Sequence, residues 1–349
     1  MHRQIKAAEI VSLPKQPLAT PWPTGQWPRG ELEVTDHGRF KILANELFEL
    51  PDHLGVTHAL LIVHHGQIVF ERYDAGASPL YLQYSWSMAK SITHALVGIL
   101  VGDGRLDIHA PSNVPEWQQD ERREITLDQL LRMSSGLDFV EDYVDDRASD
   151  VIAMLMGTGR HDTGAFAAAK PLRHRPGSVW SYSSGTTNII CRILRDLIGN
   201  GPTGMLAFMH ARLFEPIGMI SATPRFDTSG TFIGSSFLLA TPEDFARFGY
   251  LYLRDGCWEN ERILPTGWVD YARTPTFNDG VDAYGAHWSI DPHHPASFFA
   301  SGYDGQRIFV LPDRDTIIVR CGRTPDNGAT YLWERIDEIA AMLPLGTSD

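Results

Sequence analysis

The run from residue 84 to residue 101, YSWSMAKSITHALVGILV, constrains the fold of this chain most. Its apolar residues recur every three or four positions, which is typical of a helix with a broad buried face. Ser87 and Lys90 lie three residues apart on the other side, so a helix brings the hydroxyl and the amine onto one face. The stretch therefore predicts a core helix with a Ser-X-X-Lys pair near its start.

This pair has the chemistry of an activated nucleophile. An amine in so apolar a helix loses hydration, which disfavours its charged form and lets it accept a proton. A serine near a helix start also lies where backbone N–H groups stabilise developing negative charge. We therefore predict that Ser87 is a nucleophile and that Lys90 activates it. The alternative is a helix cap next to a lysine whose amine reaches solvent.

A second Ser-X-X-Lys sequence runs from Ser12 to Lys15. It lies in a proline-rich segment with no helical pattern, so nothing holds the two side chains together or removes water from the lysine. We predict no function for this copy.

Composition limits the class of protein. With 349 residues and 43% hydrophobic content, the chain can bury the core of one large domain or two interleaved subdomains. A net charge of -13 argues against nucleic acid or an anionic membrane as the main partner, because both attract clustered basic residues. The cysteines, Cys191, Cys257 and Cys321, are odd in number and scattered, which favours reduced thiols over disulfides or a zinc site.

Targeting signals are not recognisable in the sequence. The first residues, MHRQIKAAEIV, lack the apolar core of a signal peptide, and no apolar run reaches the length of a transmembrane helix. We therefore expect a cytoplasmic protein. A periplasmic protein is the alternative if a signal has been removed.

The order of predicted elements indicates an α+β fold. Residues 57–73 form two apolar runs around a His-Gly turn, which predicts a β-hairpin. Further strands are predicted near the other end of the chain, at 284–290, 297–301, 307–311 and 316–321. Helices are predicted around 40–48, 126–131, 149–155, 186–198, 205–213, 241–256 and 329–343.

These elements predict one antiparallel sheet built from both chain ends and flanked by helices. Residues 1–35, rich in Pro and Gly, are expected to form an extended arm over the body. Residues 36–83 and 230–349 are expected to form an α/β subdomain. Residues 84–229 are expected to form an inserted, mainly helical subdomain that carries Ser87 at the interface with the first.

Two further segments carry residues with suitable chemistry. Residues 178–187, SVWSYSSGTT, place Tyr182 on a loop before a helix, where its phenol can exchange a proton with a serine near an amine. The alternative is simple packing beside Trp180. Residues 298–306, FFASGYDGQ, form a strand edge whose glycine allows close backbone approach and whose N–H groups can stabilise an oxyanion. The acidic loop 139–150 is interpreted as solvated, although its Tyr143 can reach a cleft.

Taken in order, the three segments resemble the penicillin-recognising serine hydrolase superfamily, which includes serine β-lactamases and D-alanyl-D-alanine peptidases. The similarity spans roughly residues 57–343 and includes the sequence segments LLRMSSGLDF and TPEDFARFGYLYLRDG. Within this superfamily, the boxes WSYSS and ASGYDGQ and the phrase WPTGQWP are most similar to 6-aminohexanoate-dimer hydrolases, which cleave nylon oligomers, and to related carboxylesterases.

The resemblance implies a β-lactamase/transpeptidase-like fold and an acyl-enzyme on Ser87. It implies that Lys90 and Tyr182 together accept the serine proton and that the backbone N–H groups of Ser87 and Tyr303 stabilise the oxyanion. No cofactor is implied, and the partner is a small-molecule amide or ester.

It also implies four substrate-binding residues: Ser184, which holds the substrate or Lys90, Tyr143, which donates to the leaving nitrogen, and Ser301 and Gly302. The oligomeric state and the natural substrate stay open.

Two positions depart from the β-lactamase and peptidase pattern. Ser184 stands where many of those enzymes have Asn, and Ala300 stands where they have Lys or His. That cation helps to hold the carboxylate of a β-lactam or a D-Ala terminus, and alanine cannot do so. We therefore expect hydrolysis of simple amides or esters ahead of β-lactamase or D-alanyl-D-alanine carboxypeptidase activity, unless Arg307 or Arg323 supplies the charge.

Other classes have less support. An α/β-hydrolase needs a G-X-S-X-G elbow and a zinc protease needs H-E-X-X-H, and the sequence has neither. The adjacent pairs His64-His65 and His293-His294 are poor metal-site candidates. A glycosidase would need a matched carboxylate pair, which the acidic loop does not define. A sensor that is acylated and stalls would keep serine, lysine and tyrosine, and it is the main alternative that is not an enzyme.

Overall fold

The structure is a computed structural model that describes residues 10–143, 149–277, 283–291, 294 and 296–346. Within these residues the strands are β1 (Val56–His64), β2 (Gln67–Tyr73), β3 (Gln83–Tyr84), β4 (Thr223–Pro224), β5 (Leu238–Ala240), β6 (Cys257–Trp258), β7 (Glu261–Arg262), β8 (Ser289–Ile290), β9 (Phe298–Gly302), β10 (Gln306–Leu311) and β11 (Thr316–Arg323).

The α-helices of the described part are α1 (His37–Phe48), α2 (Ala89–Gly102), α3 (Leu127–Leu131), α4 (Asp150–Leu155), α5 (Thr163–Ala168), α6 (Ser184–Ile198), α7 (Gly201–Met209), α8 (Pro242–Leu253), α9 (Trp268–Ala272) and α10 (Asp326–Met342). None of them is long and apolar enough to cross a membrane.

The main sheet has the order β2-β1-β11-β10-β9-β8, and each neighbouring pair is antiparallel. Its first two strands come from the N-terminal part of the chain and the other four from the C-terminal part. Both ends of the chain therefore build one sheet, and the predicted α+β class is confirmed.

Both faces of this sheet are covered. Leu60 and Ile62 of β1 pack with residues of α1 and α10, whereas Ala59, Leu61 and Val63 belong to the larger core that includes α2 and α8. A strand that is buried on both faces needs apolar side chains in both directions. This is why β1 reads as a continuous apolar run instead of an alternating one.

Several local predictions are confirmed by hydrogen bonds. β1 and β2 form the predicted hairpin, with positive φ at His65 and Gly66 in the turn. Thr126 and Gln129 form a capping box at the start of α3. The Ser149 side chain accepts a hydrogen bond from the Ile152 N–H at the start of α4.

Three predicted boundaries are wrong. The run 284–290 is a strand only at Ser289–Ile290, because Gly285 and Trp288 form a turn in which His287 has a φ of 55°. The helix predicted to reach residue 256 ends at Leu253, where the chain turns through Asp255 at positive φ. The helix predicted at 205–213 spans Gly201–Met209 and continues as a π-helical turn, His210–Phe214.

The described part of the N-terminal segment packs on α8 and the loop after it. The Trp27 ring lies edge-on to Tyr250 at 5.6 Å, and Trp22 contacts both Tyr250 and Trp258. The Trp27 indole also donates a hydrogen bond to the Glu243 carbonyl. Residues 1–9 of the predicted arm lie outside the described residues, as do 144–148 of the acidic loop, His293 and residues 347–349.

A second sheet, with the order β3-β5-β4, lies next to the start of α2. It joins residues 83–84, 223–224 and 238–240, near both junctions of the predicted subdomains. The subdomain bounds themselves stay a prediction.

Candidate active site

The backbone changes direction immediately before Ser87. Trp86 has a φ of 43°, a left-handed conformation that a bulky residue rarely adopts, and it opens a 3₁₀ turn, Trp86–Met88, that leads into α2. The predicted core helix follows this turn and begins at Ala89. The turn is held in place by Ser85, whose N–H donates to the Leu238 carbonyl and whose hydroxyl accepts from the Leu238 N–H.

Lys90 is buried, with 1% of its surface exposed, and its amine is surrounded by three acceptors. Nζ lies 3.1 Å from Ser87 Oγ, 3.0 Å from Ser184 Oγ and 2.9 Å from the Ser235 carbonyl oxygen. The carbonyl can only accept, and the Ser184 hydroxyl donates elsewhere. The amine is thereby held on two sides, and its remaining side faces the Ser87 hydroxyl.

Tyr182 lies on the other side of the lysine. Lys90 Nζ is 4.7 Å from the centre of the Tyr182 ring, within the range of a cation–π contact. The ring meets Tyr284 edge-on at 6.1 Å, which fixes its plane. The Tyr182 loop ends where the Ser183 side chain caps α6 by accepting a hydrogen bond from the Thr186 N–H.

Ser184 is fully buried and holds the lysine, because its hydroxyl accepts the hydrogen bond from Lys90. The same hydroxyl donates to Glu141 Oε1 at 2.6 Å. The implied alternative, a direct contact between Ser184 and substrate, has no support because Ser184 is not among the residues that line the cavity described below.

Glu141 is the site residue that the sequence analysis missed. Its carboxylate accepts from the Ser184 N–H at 2.7 Å, from the Ser184 hydroxyl and from the Tyr143 hydroxyl at 2.6 Å. The carboxylate lies next to Ser184, the first residue of α6, where the positive end of the helix dipole favours negative charge. The interpretation of the acidic loop as simply solvated is therefore wrong for Glu141. The only local indication of a role for Glu141 in the site is that it lies two residues before Tyr143 in the sequence.

Strand β9 approaches the nucleophile turn closely at Gly302. A Cβ atom at this position would lie 2.3 Å from the Ser85 carbonyl oxygen, so only glycine fits without a shift of backbone. The next residue, Tyr303, packs its ring against Trp86 at 5.6 Å. The close approach brings the end of β9 next to the turn that carries Ser87.

A cavity of about 290 Å³ lies over these residues. The predicted residues in its lining are Ser87, Lys90, Tyr143, Tyr182, Ser301, Gly302 and Tyr303. The other lining residues, which the sequence analysis did not assign to the site, are Ser91, Trp180, Tyr284, His287, Ser289 and Phe299.

Among the described lining residues, Lys90 is the only lysine or arginine. Ala300 is 1% exposed and belongs to the core. Arg307 lies in an aromatic cage, with its guanidinium 3.5 Å from the centre of the Trp333 ring. Neither Arg307 nor Arg323 lines the cavity, so neither replaces the cation missing at Ala300.

The electrostatics keep the groups around Lys90 neutral. Burial and, to a smaller extent, the charge of Lys90 together lower the pKa of His287 to about 3. Burial and the Glu141 carboxylate raise the pKa of the Tyr143 phenol, so this hydroxyl stays protonated and donates. Burial also raises the pKa of Tyr284. Within the described residues, no group of three or more His, Cys, Asp or Glu side chains is placed to hold a metal ion.

Comparison with known proteins agrees with this geometry. The family model described as beta-lactamase matches residues 49–341. A 6-aminohexanoate-dimer hydrolase from Paenarthrobacter ureafaciens is 26% identical over 313 residues, covering 82% of this chain and 78% of that protein.

Solved structures share the fold. A Bacillus anthracis protein with the provisional name 6-aminohexanoate-dimer hydrolase superposes with a TM-score of 0.75 at 23% identity, covering 96% of this chain and 92% of the other. A family VIII carboxylesterase superposes with a TM-score of 0.64 at 15% identity, over 89% of this chain and 99% of that one. At these identities the likeness concerns the fold. The chain therefore belongs to the β-lactamase family and is a hydrolase of the β-lactamase fold.

Proposed function

We propose that this protein cleaves a linear amide or ester bond through an acyl-enzyme on Ser87. The observation that carries the proposal is the contact between Lys90 Nζ and Ser87 Oγ at 3.1 Å, made by an amine that is buried and otherwise engaged with two fixed acceptors. A nucleophile within hydrogen-bond reach of a base that is itself oriented by a third group is the usual arrangement for covalent catalysis.

In the acylation step, Ser87 Oγ bonds to the substrate carbonyl carbon while its proton passes to the coupled pair Lys90 and Tyr182. The carbonyl oxygen becomes an oxyanion and accepts hydrogen bonds from the N–H groups of Ser87 and Tyr303. One such donor contributes about 3 kcal/mol to transition-state stabilisation.

Collapse of the tetrahedral intermediate breaks the bond to the leaving group. Tyr182 transfers the proton to the departing amine or alcohol. The Tyr143 hydroxyl donates to Glu141 in the free protein, and it must rotate away from that carboxylate to donate to the leaving nitrogen. A water molecule then attacks the acyl carbon, its proton passes to the same pair, and Ser87 leaves with a proton restored. The reaction uses no cofactor.

The cavity favours a neutral group at the scissile bond. Its described lining contains no cation other than Lys90, which is engaged with Ser87, Ser184 and Ser235. A β-lactam or a D-Ala terminus carries a carboxylate that needs such a cation. We therefore propose linear amides of the aminohexanoate-dimer type, or simple esters, as substrates ahead of β-lactams and D-alanyl peptides.

The test is hydrolysis of p-nitrophenyl acetate, a linear aminohexanoate dimer and a chromogenic cephalosporin by wild type and Ser87→Ala. We expect turnover of the dimer or the ester in wild type, and loss of all of it in Ser87→Ala with an unchanged melting temperature. Ser12→Ala, in the exposed second motif, is the matched control and keeps full activity. Activity that survives in Ser87→Ala would refute the proposal.

Mass spectrometry separates an enzyme from an acylated sensor. An enzyme shows a transient mass increase on the Ser87 peptide that disappears as substrate is consumed. A stable adduct without turnover would identify a sensor instead.

A further inference from the structure

A continuous row of aromatic rings leads away from the cavity. Tyr143 and Tyr303 are 5.5 Å apart, Tyr303 and Trp86 are 5.6 Å apart, and Trp86 and Tyr84 are 6.0 Å apart between ring centres. We call these four rings the aromatic strip. Three of them are open to solvent, with exposed fractions of 46% for Tyr143, 47% for Tyr303 and 53% for Tyr84.

The strip starts inside the proposed site and ends outside it. Tyr143 and Tyr303 line the cavity, whereas Trp86 and Tyr84 do not. Strand β3 carries Tyr84, and Leu82, which is 41% exposed, lies two residues earlier on the same side of this extended segment. A contiguous exposed apolar surface that continues from a ligand cavity is typical of a binding surface.

The four rings of the strip are uncharged. Glu141 contacts the strip at its cavity end, where it accepts the hydrogen bond of the Tyr143 hydroxyl, and it is linked to Lys90 through Ser184. The surface therefore suits an uncharged chain of methylene or aryl groups. Such a chain buries apolar surface against the rings and has no charged group that would have to give up water.

The strip is continuous with the cavity lining through Tyr143 and Tyr303. A linear aminohexanoate dimer carries a methylene chain on each side of its amide. With the scissile bond at Ser87, one of these chains can extend over the edge of the cavity onto the strip.

We propose that the aromatic strip binds the uncharged, methylene-rich part of an extended substrate that protrudes from the cavity, with Tyr84 as its outer contact. The inference rests on the proposed function for the location of the scissile bond. It adds a length preference, because a short substrate that fits the cavity never reaches Tyr84.

Binding to Ser87→Ala protein tests this without turnover. Calorimetry measures the dissociation constants of a short amide, N-butylacetamide, and of an aminohexanoate dimer that is acetylated at its amine and butylamidated at its carboxylate. Adding Tyr84→Ala is expected to weaken the long ligand about fivefold and to leave the short one unchanged. Adding Tyr84→Phe, which keeps the ring, restores the affinity.

Tyr81→Ala is the matched control. Tyr81 is 58% exposed and lies three residues from Tyr84, but it makes no ring contact with the strip in the described part of the chain. The control is expected to bind both ligands normally. Equal weakening of both ligands by Tyr84→Ala, or no weakening of the long one, would overturn the inference. A wild type that binds the long ligand through Tyr84 and cleaves no substrate would refute the proposed function alone.

Discussion

The hydroxyl of Ser184 donates a hydrogen bond to Glu141 at 2.6 Å while it accepts one from Lys90 at 3.0 Å. A buried hydroxyl that has a hydrogen-bond donor on one side and an acceptor on the other must direct its proton at the acceptor. The carboxylate thus orients the serine, and the serine orients the lysine toward Ser87. This chain of contacts is the reason that Glu141 matters although it does not touch the nucleophile.

Glu141→Gln tests this orientation. In wild type the hydroxyls of Ser184 and Tyr143 both donate to the Glu141 carboxylate. The glutamine amide has only one acceptor oxygen and an NH₂ group in place of the other, so one of the two hydroxyls loses its acceptor. We expect kcat to fall about tenfold with little change in KM, a loss of about 1.4 kcal/mol that is typical of a charged hydrogen bond. Asp142→Asn removes the same charge one residue away and should stay within about twofold of wild type. An unchanged kcat in Glu141→Gln would remove the carboxylate from the mechanism.

Lys90→Met replaces the buried amine with an apolar side chain of similar length. Turnover should fall by at least about 10³-fold, because the variant removes the amine that contacts Ser87 Oγ and leaves Tyr182 without its partner in accepting the serine proton. Circular dichroism and the melting temperature report whether the fold is retained. Lys15→Ala in the exposed Ser-X-X-Lys copy should have wild-type kinetics. Near-normal turnover in Lys90→Met would exclude the lysine as the base.

Gly302→Ala tests the close approach of β9 to the nucleophile turn. The new methyl group would lie 2.3 Å from the Ser85 carbonyl oxygen, a backbone atom that cannot rotate away. The strand must move, and Tyr303 moves with it, so kcat/KM should fall at least about tenfold and stability by about 1–3 kcal/mol. Gly76→Ala, where nothing lies within 4 Å, is the control. Equal kinetics for the two variants would show that the spacing of the strand is unimportant.

Acid should destabilise the fold through His287. Its Nδ1 lies 2.7 Å from the Leu131 carbonyl and must donate, so Nε2 accepts from the Thr187 hydroxyl at 2.9 Å and the ring is neutral. The pKa of His287 is about 3 in the folded chain against an ordinary value of 6.5, so the unfolded chain binds the proton first as pH falls. Below pH 6.5 this one group costs on the order of 1.4 kcal/mol of unfolding free energy per pH unit.

Urea denaturation of wild type and His287→Asn at pH 7, 6 and 5 measures this contribution. Asparagine tolerates the positive φ at this position but does not titrate. The variant should be less stable at pH 7, and its deficit should shrink as pH falls. Two parallel stability curves would contradict the assignment, since the other buried histidines contribute equally to both proteins.

Much of the site was readable in the sequence because its signals are local. The spacing of Ser87 and Lys90, the capping residues of the helices and the apolar runs of the hairpin each depend on neighbours within a few positions. The resemblance of three ordered segments to one superfamily added Tyr182 and Tyr303. The left-handed conformation of Trp86, immediately before Ser87, has no sequence signature.

What the sequence determined by itself is the fold class, the hairpin, the order of the segments and the choice of Ser87, Lys90 and Tyr182 as candidate catalytic residues. Tertiary structure decided the rest, because each remaining contact joins residues far apart in the chain. Glu141 meets Ser184 43 residues away, and the Ser235 carbonyl meets Lys90 145 residues away. No local pattern distinguishes Glu141 from the other carboxylates of its loop; only folding places it at the start of α6, where a buried helix end stabilises its charge.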